Sequence, residues 1–247
     1  MQTKKTVKQD GELIYGINPV IELLKAKKRP LITLYTTKPT PKSWDRIEKL
    51  LEGKRVNIQY ITRDALAKLA NTTDHQGVVA WAKPFVYRKK FFEPTKHKHL
   101  VLLDGIQDTR NLGAILRSAY CTNFDGVILL QKGAAPLNAA ALKASAGLAE
   151  HLDIYVTASA ATALQELKNA GYQVYTAAFK GENVTKTSFT DPLCIVIGSE
   201  GVGISSVLLK AGIQITLPQK QGQDISYNAS VAAGILLFLV GTQKQTI

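Results

Sequence analysis

Three separated segments of this sequence carry side chains that could bind a nucleoside or a phosphate group. Each follows an apolar run that reads as a β-strand: Asn111 and Arg117, the loop GSEGVG (198–203), and Ser226 and Asn228. Amides, hydroxyls and a carboxylate supply hydrogen bonds, and a guanidinium supplies a planar cation that pairs with phosphate or carboxylate. We therefore predict that these three segments hold the chemistry of the protein.

The glycine-rich loop GSEGVG differs from the two common phosphate-binding patterns. Its glycines read G-x-x-G-x-G, whereas a dinucleotide fingerprint reads G-x-G-x-x-G and a P-loop ends in Lys-Ser/Thr. Glycine still allows a ligand to approach backbone N–H and C=O groups closely. Taken alone, the loop is equally compatible with a tight turn between a strand and a helix.

The polar residues of the other two segments also have structural explanations. Arg117 lies in an otherwise apolar segment, AILRSAY, so its guanidinium needs a partner. That partner is either a phosphate or carboxylate ligand or a structural salt bridge. Asn111 can cap the start of the same helix, and Ser226 and Asn228 can cap the helix that follows them.

From Leu100 onward the sequence alternates short apolar strands with helices. The predicted strands are HLVLLDGI, GVILL, DIYVTA, YQVYTAAF, LCIVIG and IQITLP, and the predicted helices include NLGAILRSAYCT, LNAAALKASAGLAEHL and SYNASVAAGILLFLVGTQ. This alternation predicts an α/β fold with a mostly parallel sheet covered on both faces. Ligands of open parallel sheets bind beyond the carboxyl ends of the strands, which is where all three segments lie.

The first 99 residues form a separate, strongly basic region. They contain 21 Lys/Arg and 9 Asp/Glu, whereas residues 100–247 contain 10 of each, so the net charge of +12 lies entirely in the first part. Helices and strands alternate in this region as well, which predicts a small α/β domain. Such a charge excess indicates either a surface that binds nucleic acid or lysines that merely solubilise the protein, and its concentration in one segment favours nucleic acid. We predict a basic nucleic-acid-binding domain over residues 1–85, a basic linker over 86–99 that either contacts phosphates or is merely solvated, and a second domain over 100–247.

Cysteine and histidine usage favours a cytoplasmic protein without a metal. Cys121 and Cys194 both lie in apolar surroundings, which predicts buried free thiols in a reducing compartment. No secretory signal and no apolar run long enough to span a membrane is visible in the sequence. The four histidines do not have metal-ligand spacing, and they are His75, His97, His99 and His151.

Taken together and in this order, the three segments resemble the motifs of the SpoU-type RNA ribose 2′-O-methyltransferases. The resemblance extends over residues 14–241 and rests on Asn111-Leu112-Gly113 with Arg117, on Gly198 to Gly203, and on Ser226 to Ser230. The phrases LIYGINPV, HQGVVA and SAGLAEHL are similar to one subgroup, which methylates a guanosine 2′-hydroxyl of large-subunit (23S) ribosomal RNA. The last motif departs from the family pattern: Gln219 and Tyr227 replace the usual methionine and leucine, and the segment PQKQGQDIS is slightly longer.

The resemblance implies a fold, a cofactor and partners. The fold is a C-terminal α/β-knot (deep trefoil) domain with a mostly parallel sheet, preceded by a small α/β domain like ribosomal protein L30e/L7Ae, which would bind the RNA substrate and extend over residues 1–85. The cofactor is S-adenosylmethionine, which Gly198, Leu217 and Tyr227 contact largely through backbone groups. The partners are RNA and a second copy of the chain, with Arg117 of one copy near the cofactor of the other. The apolar last helix fits such a homodimer interface, and it fits ordinary core packing equally well.

The resemblance also assigns catalytic roles to individual residues. Arg117 lies against the ribose or its phosphate and stabilises the developing alkoxide, because a guanidinium keeps its proton in proteins. Asn111 fixes the RNA or Arg117, and Glu200 orients a neighbouring arginine or asparagine. Ser226 and Asn228 position the last motif or contact the RNA.

Three other functions remain open at this point. One is tRNA 2′-O-methylation by a member of the same family, and another is RNA binding in ribosome assembly without catalysis. The intact set of polar motif residues argues against a loss of catalysis. A nicotinamide-dependent oxidoreductase is disfavoured by the glycine spacing.

Overall fold

The chain folds into two compact units. The computed structural model describes residues 11–220 and 226–247, so the basic start of the chain and the middle of PQKQGQDIS lie outside the described residues. The first unit extends to Val86 and the second begins at Tyr87. Both combine helices with one β-sheet.

The first unit is built on a four-stranded sheet. Its elements are β1 (Glu12–Tyr15), α1 (Ile17–Ala26), β2 (Leu31–Thr36), α2 (Trp44–Leu51), β3 (Asn57–Tyr60), α3 (Arg63–Ala70) and β4 (Val78–Ala82). The strand order is β1-β4-β2-β3, in which β2 and β3 are parallel and β4 is antiparallel to both of its neighbours. The predicted alternation of helices and strands is found from α1 to β4. The strand β1 is not part of that prediction, because its conformation depends on its pairing with the distant β4.

The second unit is built on a six-stranded sheet in which every neighbouring pair is parallel. Its elements are β5 (His99–Asp104), α4 (Thr109–Cys121), β6 (Gly126–Leu130), α5 (Ala139–Ala144), a 3₁₀ turn (Leu148–His151), β7 (Ile154–Thr157), α6 (Ala160–Ala170), β8 (Gln173–Asn183), β9 (Leu193–Gly198), α7 (Ser206–Ala211), β10 (Ile213–Thr216) and α8 (Ala229–Gln243). The strand order is β10-β8-β9-β5-β6-β7. Strands β5 to β7 extend the sheet to one side and β8 to β10 lie on the other, so the topological switch point is between β5 and β9. The predicted α/β fold with a mostly parallel sheet is confirmed, whereas the knot stays a prediction.

The core of the second unit lies on both faces of its central strands. Every residue of β5 and β6 is buried, as expected for parallel strands covered by helices on each side. Part of the segment predicted as a linker also belongs to this core. Phe92 is 3% exposed, and Arg88 stacks on its ring and forms an ion pair with Asp153 at 2.7 Å. Residues 87–98 therefore pack against the second unit.

The helix predicted for LNAAALKASAGLAEHL is two pieces in the structure. Positive φ angles of 54° at Ala146 and 85° at Gly147 end α5 and begin the 3₁₀ turn. This break places α5 directly against α4 at Gly113. A Cβ at Gly113 would lie 2.4 Å from the carbonyl oxygen of Ala141, so only glycine permits this contact. The glycine of Asn-Leu-Gly therefore lies against the end of α5, where the segment SAGL begins at Ser145.

Both cysteines are free thiols, but only one is buried. Cys194 lies inside β9, and burial raises the pKa of its thiol. The prediction that Cys121 is buried is wrong, because the last turn of α4 leaves it exposed. No helix in the described part of the chain has the length and apolarity needed to cross a membrane.

We expect Gly113→Ala to lower the free energy of unfolding by about 1–3 kcal/mol, because overpacking a close helix contact has costs of this size. The added Cβ would also meet the Ala144 Cβ at 2.5 Å. Gly234→Ala is the control, since this helical glycine would meet only the Ser118 hydroxyl at 3.4 Å. Helix propensity predicts that the control is neutral or more stable by up to about 1 kcal/mol. Urea unfolding measures both variants, and an unchanged Gly113→Ala variant would contradict the close contact.

Candidate active site

All three predicted motifs follow strands whose carboxyl ends lie at one edge of the parallel sheet. Asp104 at the end of β5 pairs with Gly198 at the end of β9. The strand β10, which precedes the last motif, is separated from β9 by β8. Ligands of open parallel sheets bind at this edge, near the point where the strand order reverses. The fold therefore brings the three motifs to one side of the second unit.

The loop GSEGVG closes on itself as a tight turn. The Ser199 N–H donates to the Gly203 carbonyl at 3.2 Å, and the Gly203 N–H donates to the Ser199 carbonyl at 2.9 Å. A Cβ at Gly198 would lie 2.4 Å from the Gly203 carbonyl carbon, which excludes any other residue there. Asp104 fixes the far end of the loop by accepting from the Ser205 N–H at 2.6 Å. The tight turn that one interpretation predicts therefore exists, and it presents Glu200.

Glu200 connects all three motifs through one carboxylate oxygen. Its Oε1 accepts from the Asn111 side-chain amide at 3.1 Å, from the Ala229 backbone N–H at 3.3 Å, and from the side-chain amide of Asn228. Hydrogen bonds to a charged acceptor are shorter and stronger than those between neutral groups. Glu200 is predicted to orient a neighbouring arginine or asparagine, and its side-chain partners among the described residues are two asparagines and no arginine.

Asn111 can donate to Glu200 because another residue caps its helix. The Asp108 carboxylate accepts from the backbone N–H groups of Arg110 at 2.6 Å and of Asn111 at 3.2 Å. The interpretation of Asn111 as the cap of α4 is therefore wrong. Its side chain points away from the helix start and reaches the loop after β9.

Asn228 caps α8 and binds Glu200 at the same time. Its side-chain oxygen accepts from the Ser230 N–H at 2.9 Å and from the Ser230 hydroxyl at 2.7 Å, while its amide donates to Glu200. The capping interpretation of Asn228 is confirmed. Ser226 is exposed, and its hydroxyl has no hydrogen-bond partner among the residues that the structure describes.

Arg117 lies apart from the Glu200 cluster. Six residues along an α-helix place it about 9 Å further along α4 and about 120° around the helix from Asn111. Its side chain is exposed and makes no ion pair or hydrogen bond with any residue of the described ranges. The structural salt bridge considered for Arg117 is thus not found there, and its guanidinium is available to a ligand or to a second chain.

The three residues predicted to contact a cofactor surround the ends of β9 and β10. Gly198 ends β9, Leu217 is half-buried directly after β10, and Tyr227 is exposed beside Asn228. Backbone groups, a glycine and two apolar side chains therefore border the carboxyl edge there. Such a surface suits a nucleoside, whose base needs apolar contacts and a few backbone hydrogen bonds.

A bulge of β8 lies between these strands, and the sequence analysis missed it. Pairing with β10 moves from Gln214↔Thr176 to Ile215↔Glu182, so residues 177–181 leave the sheet. The bulge exposes 74% of Phe179. The strand rejoins the sheet after Gly181, where only glycine fits because a Cβ would lie 2.6 Å from the Gln214 carbonyl. Two alanines and this glycine around an aromatic residue are the signal that the sequence offers.

A cavity of about 580 Å³ lies at the opposite edge of the sheet, near the amino ends of β5, β6 and β7. Its lining includes His97, Cys121, Asp125, His151 and Asp153, and none of the predicted site residues. Across the described ranges, no group of three or more His, Cys, Asp or Glu side chains could hold a metal ion. The hydrogen-bonded convergence at Glu200 identifies the candidate site better than the cavity does, because it involves all three motifs.

We expect Glu200→Ala to lose amide protection at the start of α8, because the Ala229 N–H and the Asn228 cap lose their common acceptor. Hydrogen exchange at residues 228–231 should become faster by about 10-fold or more, the equivalent of one charged hydrogen bond. Glu200→Gln keeps one acceptor oxygen and should give an intermediate rate. Glu52→Ala, which removes an exposed glutamate of the first unit, is the control. Unchanged exchange in Glu200→Ala would show that the cluster does not hold α8.

Two family models match the two parts of the chain. The model described as the SpoU rRNA Methylase family matches residues 98–238, and the one described as RNA 2′-O ribose methyltransferase substrate binding matches residues 13–88. A Bacillus subtilis protein named for the TrmH family of tRNA/rRNA methyltransferases is 32% identical over 97% of this chain and 98% of its own length.

Solved structures share the fold at lower sequence identity. An RNA 2′-O ribose methyltransferase covers 96% of this chain and 90% of its own, with a TM-score of 0.83 and 22% identity. An AdoMet-bound rRNA methyltransferase from Sinorhizobium meliloti covers 94% and 87%, with a TM-score of 0.77 and 22% identity. A TrmH/SpoU tRNA modifying enzyme of A. aeolicus covers 62% and 78%, with a TM-score of 0.54 and 24% identity.

Proposed function

We propose that this chain, which belongs to the SpoU rRNA methylase family of RNA methyltransferases, transfers a methyl group to the ribose 2′-hydroxyl of a guanosine in large-subunit ribosomal RNA. S-adenosylmethionine is the methyl donor of this family. The observation that carries the proposal is the convergence of the Asn111, Glu200 and Asn228 side chains at one edge of the parallel sheet. We also propose a cytoplasmic location, which a ribosomal RNA substrate would require.

The residues at this edge fit an adenosyl group. Gly198 and the turn after it offer backbone groups without bulk, and nothing lies within 4 Å of a Cβ built on Gly201. Leu217, Tyr227 and the exposed Phe179 supply apolar surface for the base. When bound, S-adenosylmethionine supplies an electrophilic methyl group on a sulfonium, so the protein has to orient the hydroxyl and stabilise its developing negative charge.

Arg117 is the residue that we assign to the ribose. Its guanidinium is exposed and without a partner among the described residues. Placed against the 2′-oxygen or the adjacent phosphate, it stabilises the alkoxide as the hydroxyl loses its proton to water or to the RNA phosphate. The bond that forms joins the methyl carbon to the ribose oxygen, and the bond that breaks joins that carbon to sulfur.

The Glu200 cluster positions the other polar groups. Glu200 holds Asn111 and Asn228 on one oxygen, which fixes the start of α4 relative to the start of α8. Asn111 then orients the RNA or a guanidinium that enters the site. Ser226 is exposed beside this cluster and is available to the RNA backbone.

The exposed face of α8 supports a homodimer. Val231, Ile235 and Phe238 are spaced four and three residues apart, so they lie on one face of the helix, and 56% of Phe238 is exposed. The opposite face, with Leu236, Leu237 and Val240, is buried in the chain's own core. α4 packs beside α8, so a second copy bound to this face would come close to Arg117. In that arrangement Arg117 of one copy would serve the cofactor site of the other.

The two-unit architecture favours ribosomal RNA over tRNA as the substrate. The rRNA methyltransferase structure from Sinorhizobium meliloti covers 94% of this chain and so includes both units, whereas the tRNA modifying enzyme covers 62% of it. The phrase SAGLAEHL also resembles the ribosomal RNA subgroup. The names of the curated relatives include both tRNA and rRNA, and ribose-methylation mapping distinguishes these two substrates.

We expect loss of one 2′-O-methylguanosine from large-subunit ribosomal RNA in a strain that lacks this chain, and its restoration by the wild-type protein. Ribose-methylation mapping of total RNA measures this. Loss of a tRNA methylation would support the tRNA alternative. Unchanged methylation with assembly defects would support an RNA-binding assembly factor.

In methylation of ribosomal RNA by the purified protein, Arg117→Lys and Arg117→Ala should lower the single-turnover rate at saturating RNA by about 10²–10³-fold. This is the usual loss on removing one transition-state donor. Lys168→Ala is the control, because it removes an exposed cation from α6, outside the three motifs. A full rate for Arg117→Lys would contradict the role of its planar guanidinium.

Phe238→Glu should shift the protein from a dimer to the 26.9 kDa monomer. A charge on this apolar face would have to be buried in the interface at a large cost in free energy. Sedimentation equilibrium measures the mass. Phe179→Glu is the control, since it places the same charge at an exposed phenylalanine outside α8. A wild-type monomer, or a dimer that survives Phe238→Glu, would overturn the assignment of this face.

A further inference from the structure

Tyr60 is an exposed aromatic residue in the basic first unit. Its side chain is 47% exposed at the end of β3, whereas Trp44 and Phe85 of the same unit are buried. The Tyr60 hydroxyl has no hydrogen-bond partner among the described residues. Tyrosine commonly occupies such positions where a ligand completes its contacts.

Lys38 lies on the face of this ring. Its Nζ is 4.4 Å from the centroid of the Tyr60 ring, and the lysine itself is exposed. Both residues are at the carboxyl ends of neighbouring parallel strands, since Thr36 of β2 pairs with Tyr60. Arg63 begins the next helix and is exposed as well. A flat aromatic surface and exposed cations therefore occur together at one edge of this sheet.

Protein stability explains little of this arrangement. An exposed cation–π pair contributes only about 0.5–1 kcal/mol. β3 is the edge strand of its sheet, and three of its four residues are exposed, so Tyr60 contributes little to the core. Aromatic rings beside cations are the surface on which unpaired bases stack, and the cations pair with the flanking phosphates.

We propose that Tyr60 and Lys38 form a stacking platform for one unpaired base of the RNA substrate. Lys38 moves from the ring to the adjacent phosphate when the base stacks, so the aromatic face and the charge serve neighbouring parts of one nucleotide. The ligand is a single-stranded segment and not a duplex, because bases inside an A-form helix do not expose their faces. The inference rests on the proposed function only in taking RNA as the substrate.

The test is binding of the full chain to a short single-stranded RNA and to a duplex of the same length, measured by fluorescence anisotropy. Tyr60→Ala should weaken single-strand binding by about 5- to 150-fold, the range for loss of one base–aromatic stack. Tyr60→Phe keeps the ring and should bind like the wild type. Duplex binding should be the same for all three proteins.

A double-mutant cycle tests the assignment of Lys38. Lys38→Met should reduce the slope of log affinity against log salt by about 0.7, the value for one single-strand phosphate contact. Its effect should be non-additive with Tyr60→Ala, because the two side chains act on one nucleotide. Lys27→Met is the control: it removes one exposed cation at the opposite end of β2, and its effect should add to that of Tyr60→Ala.

The outcomes separate this inference from the proposed function. A wild-type chain that methylates RNA while Tyr60→Ala binds single strands normally would overturn the platform alone. Equal weakening of duplex and single-strand binding would also overturn it, because it would indicate a general backbone contact. A wild-type chain that binds no RNA at all would overturn both.

Discussion

One carboxylate oxygen holds the candidate site together. Residues 111, 200 and 228 are far apart in the chain, and the Oε1 of Glu200 accepts hydrogen bonds from the side chains of Asn111 and Asn228 and from the Ala229 N–H. A charged acceptor is suited to three donors, because it has several lone-pair sites and strengthens each bond. Among the described residues, no other group accepts hydrogen bonds from both Asn111, at the start of α4, and Asn228, at the start of α8.

The scaffold around this oxygen is set by close contacts that only small residues permit. Gly198 allows the turn that presents Glu200, and Gly113 allows α4 to lie directly on α5. Asp108 completes the arrangement by capping α4, which leaves the Asn111 side chain free to reach Glu200. The motif glycines therefore fix backbone positions, and the polar side chains are presented from those positions.

Much of this was accessible from the sequence. The alternation of apolar strands with helices predicts the second unit. The resemblance of the three motifs to SpoU-type enzymes predicts the family, which the family models and the curated relatives confirm. The sequence did not show β1, the break after α5 or the bulge in β8, because each depends on a distant partner or on backbone angles that composition does not reveal. The resemblance predicts that Glu200 orients a neighbouring residue, and only the fold shows that its partners are two asparagines. The catalytic role of Arg117 remains a prediction, since its guanidinium has no partner among the residues that the structure describes.

The proposed function requires that the cofactor binds at the carboxyl edge of the parallel sheet. The most direct measurement is a titration of the isotope-labelled protein with S-adenosylmethionine, followed through the backbone amide resonances. We predict that signals from residues 177–181, 198–203 and 216–217 shift, and that those from the cavity at the opposite edge, residues 123–125 and 151–153, stay unchanged. Shifts confined to the opposite edge, or no shifts at a saturating concentration, would contradict the account.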